Sequence, residues 1–161
     1  MAVNVSPIQL RRKEFVDDIR AAVAEVDGSR GYIDIEITES MLIEDLDGNI
    51  TKLNAVGKLG MHVAVDDFGT GYSSLSYLSK PPIHSLKIDR SFVSQVSKSS
   101  KQMAIVSTVI SLGRALGLKV VAEGVETEEQ ANLLRLLRCD EAQGYLFYRP
   151  LPASEIERLI A

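Results

Sequence analysis

Only one cysteine, Cys139, occurs in the 161 residues, so no intramolecular disulfide can form, and a reducing compartment such as the cytoplasm is expected. Basic residues are not in surplus: 18 Lys and Arg stand against 22 Asp and Glu, a net charge of −4. A protein that tracks a nucleic-acid polymer carries the opposite balance, which argues against DNA or RNA as the main partner. A nucleotide ligand remains compatible, because divalent cations can supply the charge that an acidic pocket lacks. No apolar run approaches the roughly 20 residues needed to span a bilayer, and no signal-peptide pattern opens the chain. Low-complexity tracts and linkers are also missing, so residues 1–161 are read as one domain. The composition, 45% hydrophobic and 25% charged, is that of a globular protein with a real core.

What is present is an alternation of strands and helices. Short β-branched apolar runs are expected as strands at 2–5, 32–37, 62–65, 85–88, 119–122 and 142–146. Between them, Phe15, Ile19, Ala22, Val23 and Val26 form the stripe of a helix packed on one face, and 102–116 reads as a well-buried helix. Thr127 with Gln130 forms a capping box, and Ser154 with Glu157 looks like a second one. Gly28, Gly60 and Gly117 sit where helices should end. Such alternation implies a parallel sheet with right-handed crossovers, either an open doubly wound sheet or a (β/α) barrel.

The polar residues favour the barrel. Asn4, Glu36, Asp66-Asp67, Lys87, Glu123 and Gln143 fall late in the expected strands or just beyond them, one contribution from each of six. A barrel gathers all its strand ends at one mouth, whereas an open sheet concentrates ligand groups at one switch point. Taken singly, each has an ordinary structural role: Asp66-Asp67 a turn, Lys87 an ion-pair partner, Glu123 the anion at a helix start. Gathered at one mouth, the carboxylates would repel unless cations sat among them, and such oxygen donors suit Mg²⁺ or Mn²⁺. Two such ions serve phosphodiester hydrolysis, although other Mg²⁺-dependent barrels also assemble carboxylates. His62 and His84 precede strands and should lie at the opposite end.

The segments Val3-Asn4-Val5-Ser6-Pro7, Glu36-Ile37-Thr38-Glu39-Ser40, Asp66-Asp67-Phe68-Gly69-Thr70-Gly71-Tyr72-Ser73-Ser74-Leu75, Lys87-Ile88-Asp89, Ala122-Glu123-Gly124-Val125-Glu126-Thr127 and Gln143-Gly144-Tyr145 occur in this order. Together they resemble the EAL domains that hydrolyse the bacterial second messenger cyclic-di-GMP to linear pGpG. The resemblance implies a TIM-type (β/α) barrel of parallel strands, of which about six of eight β/α units are represented. It also implies one metal ion held by Asn4, Glu36 and Asp66, a second by Asp66, Asp67 and Glu123, and a water-assisting role for Lys87. Gln143, Tyr145 and Pro150 are assigned by it to substrate contacts. The loop through Phe68, Gly69, Thr70 and Gly71, braced by Glu39, is assigned to coupling the site to dimerisation.

The Glu-Ala-Leu motif itself does not occur in the sequence. The expectation is therefore a chain lacking the strand that carries it, and with that strand one ligand of the first ion. Six strands leave sheet edges open, so a homodimer or strand-swapped oligomer is expected, with weak or no turnover by the chain alone. The alternative reading is a non-catalytic cyclic-di-GMP receptor or assembly module, against which stands the intactness of every matching catalytic position.

Overall fold

The computed structural model describes residues 1–25, 33–70, 78 and 80–160. Its six strands are β1 (Ala2–Asn4), β2 (Asp34–Thr38), β3 (His62–Phe68), β4 (Ser85–Ile88), β5 (Lys119–Ala122) and β6 (Glu141–Ala142). All neighbouring pairs are parallel, and the order across the sheet is β1-β2-β3-β4-β5-β6. Strand order never reverses, so no topological switch point exists among the described strands, and the sheet is an arc of a barrel.

Period-two alternation separates the two faces of that arc. Ile35, Ile37, Val63, Val65, Leu86, Ile88, Val120 and Ala122 are all at most 1% exposed and form the core with the helical layer. The alternate residues Glu36, Ala64, Lys87, Val121 and Gln143 line a concave cavity of about 280 Å³. The core therefore lies outside the sheet, and the inside of the arc is polar.

The helices are α1 (Pro7–Arg11), α2 (Phe15–Ala24), α3 (Glu39–Glu44), α4 (Leu46–Lys58), α5 (Arg90–Val93), α6 (Ser100–Ala115), α7 (Glu128–Leu136) and α8 (Ala153–Ile160). A capping box of Ser6 and Gln9 with Pro7 at the first turn starts α1, and the expected box of Thr127 and Gln130 starts α7. Gly60 (φ 86°) and Gly117 (φ 70°) end α4 and α6 in the left-handed conformation, as their sequence positions imply. Gly28, Val26 and Tyr32 lie outside the described residues.

Two local expectations are corrected. Ser154 and Glu157 lie inside α8, whose first turn closes on the carbonyl of Pro152, so they do not form its cap. The sixth strand is two residues long and does not run on to Leu146. Past Ala142 the backbone leaves the ladder and pairs with a loop: Val125 N–H donates to the Gln143 carbonyl (3.0 Å), and Leu146 N–H donates to that of Val125 (3.0 Å). Gly144 permits this approach, since a methyl group there would press on the Val125 backbone.

Cys139 is half-buried beside β5, with its Sγ 3.5 Å from the Val120 carbonyl and 3.3 Å from that of Glu141. Burial pushes its thiol up from 9.0 to about 11. At pH 8 roughly one molecule in a thousand then carries the reactive thiolate. Iodoacetamide should label the native protein at least about 30-fold more slowly than the urea-unfolded one. Equal labelling rates would show that the fold does not hold this thiol protonated.

Candidate active site

The middle of β2, the later parts of β3 and β4 and the residue after β5 deliver four ionisable side chains to one place. Lys87, 6% exposed, sends its Nζ to Glu36 Oε1 (2.7 Å), Glu123 Oε1 (2.5 Å) and Asp66 Oδ1 (3.5 Å). Gln143 Nε2 donates to the same Glu123 oxygen at 2.6 Å. One ammonium thus sits among three carboxylates from three other strands.

Burial by itself would lower the Lys87 pKa. Hydrogen bonds to Glu123 and Glu36, with the charges of Glu123 and Asp66, outweigh it and raise the group from 10.5 to about 12. Its stabilising effect is therefore complete below pH 10.5 and is lost as pH rises through 12. The Glu123 carboxyl is raised above 4.5, mainly by burial, although Lys87 pulls against that shift.

Asp66 and Asp67 are adjacent, and in a regular strand they would point to opposite faces. A bulge changes this. Val65 pairs with Leu86 and Phe68 pairs with Ile88, so two β3 residues stand opposite Lys87 alone. Asp67 takes φ 53°, a conformation that Asp tolerates better than most residues, and its N–H donates to Asp66 Oδ1 at 3.0 Å. Its carboxyl is raised above 3.8 by burial and by the neighbouring Asp66 and Asp89 charges. The nearness of Asp89 to Asp67 was not legible in the sequence.

Asn4 closes β1 in register with Glu36, which brings it to the same level of the mouth on the exposed edge of the sheet. Glu39, 2% exposed, accepts from Gly69 N–H at 3.2 Å, and Thr70 Oγ1 donates to the Asp67 carbonyl at 2.8 Å. Phe68, 2% exposed, anchors the segment in the core, while Gly71 and Tyr72–Leu75 lie outside the described residues. Tyr145 and Pro150 do not join the carboxylates. They line an adjoining cleft of about 710 Å³ that begins at Glu123 and Gln143 and also includes Arg90, Tyr148 and Arg149. The Arg149 guanidinium lies 4.6 Å from the centre of the Tyr145 ring. The contact of Arg90 with Glu126 was not legible in the sequence, because it joins two distant segments.

Among the described residues no three of His, Cys, Asp and Glu converge as a ready metal-ligand group, since the acids are disposed around Lys87. The donor set nevertheless fits a hard cation: buried carboxylates with a neutral amide nearby, already gathered about one positive charge. His62 and His84 stand at the opposite end, with ring centres 4.5 Å apart and His62 Nδ1 3.3 Å from Asp34.

Comparison with known proteins agrees over nearly the whole chain. The Pseudomonas aeruginosa bifunctional diguanylate cyclase/cyclic di-GMP phosphodiesterase MucR is 42% identical over 161 residues, which is 100% of this chain and 24% of MucR. A solved complex of the MucR phosphodiesterase with c-di-GMP superimposes with a TM-score of 0.93, covering 96% of this chain and 63% of that one. The EAL domain of Mycobacterium smegmatis DcpA gives 44% identity and a TM-score of 0.93, over 98% and 70% of the two chains. Klebsiella pneumoniae BlrP1, solved with manganese and cyclic-di-GMP, gives 34% and 0.84, over 92% and 38%. The chain thus spans about a quarter of the length of a curated relative such as MucR. Residues 1–150 match the EAL domain, and the chain belongs to that family.

Proposed function

We propose that this chain serves metal-dependent hydrolysis of cyclic-di-GMP to linear pGpG. The observation that carries the reading is the Lys87 ammonium held among Glu36, Asp66 and Glu123 at the strand ends, with Gln143 on Glu123. Support also comes from MucR and BlrP1, whose solved forms contain c-di-GMP, the latter with manganese.

Asn4, Glu36 and Asp66 would hold one Mg²⁺ or Mn²⁺, and Asp66, Asp67 and Glu123 a second. Bound there, the ions would acidify a water and neutralise charge on the phosphodiester. The chain's own groups do the rest. Lys87 holds the attacking water against the phosphorus. The water's OH goes to phosphorus, one ring P–O bond breaks, and a proton ends on the leaving sugar oxygen. Gln143 keeps Glu123 directed at the mouth, and the cleft by Tyr145 and Pro150 takes a guanine. Glu39 braces Phe68 to Thr70 behind Asp66 and Asp67.

The test is calorimetric titration with cyclic-di-GMP in Mg²⁺ or Mn²⁺, followed by chromatography for pGpG. Product supports the hydrolase. Binding without product reassigns the chain to a receptor, and the absence of both binding and product removes the support for the reading.

The sheet edges bear on how the site is completed. Among the described residues β1 and β6 each pair on one side only, and Val3 on β1 is 44% exposed above an apolar groove of about 300 Å³. Unpaired edges of this kind recruit other strands, so a homodimer or strand-swapped oligomer is part of the proposal, with weak turnover by the lone chain. Light scattering at micromolar concentration should give twice the monomer mass or more. A monodisperse monomer rejects the assembly.

A further inference from the structure

Two side chains outside the carboxylate cluster meet beside it. Arg90 opens α5 immediately after Asp89, and Glu126 lies three residues beyond Glu123 in the loop leading to α7. Arg90 Nη2 and Glu126 Oε1 are 2.6 Å apart. The stem of Arg90 lies on Gly124, the residue after Glu123. A methyl group on Gly124 would stand 2.8 Å from Arg90 Cβ and 2.9 Å from its Cδ, and closer still to Cγ. Gly124 also takes φ +69°, so the turn leaving β5 is set both by its own conformation and by the arginine packed across it.

The other end of the contact is tied down as well. Glu126 N–H donates to Gln130 Oε1 at 2.8 Å, inside the capping box of α7. Gln130, 6% exposed, sends Nε2 to the Ser94 carbonyl at the C-terminal end of α5, 3.4 Å away. Arg90, Glu126, Gln130 and Ser94 therefore close a ring from one end of α5 to the other through the loop that carries Glu123. From that loop, Glu123 reaches Lys87 and Gln143 at 2.5 and 2.6 Å.

From this arrangement we infer that Arg90 and Glu126 are positioning residues, which clamp the Gly124 turn so that Glu123 points at Lys87 and Gln143. An exposed ion pair contributes little to stability, and Arg90 and Glu126 side chains are 61% and 44% exposed. What the pair supplies is the direction of one carboxylate. The inference deepens the phosphodiesterase reading and rests on it for its effect on turnover, but its structural readout does not depend on activity.

The experiment compares Arg90→Ala, Glu126→Gln and Arg90→Lys with the unaltered protein. The primary readout is the Gln143 side-chain amide in a ¹⁵N correlation spectrum, because that group donates to Glu123. In Arg90→Ala and Glu126→Gln its resonances should move toward free-amide values, with the thermal midpoint changed little. Turnover should fall about 10- to 100-fold in kcat. Arg90→Lys keeps the stem over Gly124 and one charged hydrogen bond, so it should recover most of both signals. Gln143 resonances that stay in place in Arg90→Ala and Glu126→Gln overturn the inference. So does a kcat loss that appears only in step with a fallen thermal midpoint, which would mark a merely structural contact. If the unaltered protein shows no turnover even as the assembled oligomer, the phosphodiesterase reading fails while the Gln143 signal still decides the clamp.

Discussion

Glu123→Ala is expected to abolish pGpG formation and to weaken Mn²⁺ binding by about 100-fold. Glu123 links two members of the polar cluster, contacting Lys87 at 2.5 Å and Gln143 at 2.6 Å through one oxygen. Groups that only orient a metal ligand cost 10- to 100-fold in affinity when lost, so a direct ligand should reach the upper end of that range. Removing one group that stabilises developing charge typically costs on the order of 10²–10³ in rate. Collapse of the fold is not the expected route, because Lys87 keeps its 2.7 Å partner Glu36 and its contact with Asp66. Electron paramagnetic resonance with Mn²⁺ measures the affinity, and chromatography of cyclic-di-GMP incubations measures the product. Unchanged Mn²⁺ affinity in Glu123→Ala would remove Glu123 from the metal site. Product formed at the unaltered rate would remove it from the reaction.

The barrel was legible because its evidence is distributed. Each strand contributes one polar residue late in an apolar run, and the parallel order in the structure turns these six positions into one rim. Cross-strand facts were not legible. The bulge that puts Asp66 and Asp67 opposite Lys87 depends on pairing with β4, and an Asp-Asp dipeptide reads equally as a turn. The short β6 depends on Gly144 meeting the Val125 backbone, a contact nearly 20 residues away in sequence. Arg90 and Glu126 are 36 residues apart, so neither local motif announces the other. Nor was it legible that Lys87 would sit among the carboxylates as their internal counter-charge, since that depends on four strands meeting.

That internal cation makes Lys87→Met the variant with the largest expected effect on stability. Lys87 is 6% exposed, and its carboxylate partners Glu36, Asp66 and Glu123 have side chains 9%, 15% and 18% exposed. Methionine fills nearly the same volume, so what is lost is the charge and its three contacts. Removing one partner of a buried pair costs about 3–5 kcal/mol, because the remaining charges are left desolvated and uncompensated. For a domain of this size the lower figure corresponds to a fall in thermal midpoint of roughly 6–12 °C. The sign with pH follows from the carboxylates. Glu123 is already raised above 4.5 by burial, and losing its ammonium partner raises it further. A carboxyl raised in the folded state destabilises while ionised and ceases to do so once protonated. The deficit should therefore be full at neutral pH, shrink as pH falls through the raised value, and vanish below about 4.5. Mn²⁺ should also rescue Lys87→Met more than it stabilises the unaltered protein, since the ion meets carboxylates that no ammonium occupies. Differential scanning fluorimetry at pH 5 and pH 8, with and without Mn²⁺, reads all three effects. A midpoint within 2 °C of the unaltered protein at pH 8 would mean that the carboxylates do not depend on Lys87. A pH-independent deficit would locate the damage in packing and not in charge.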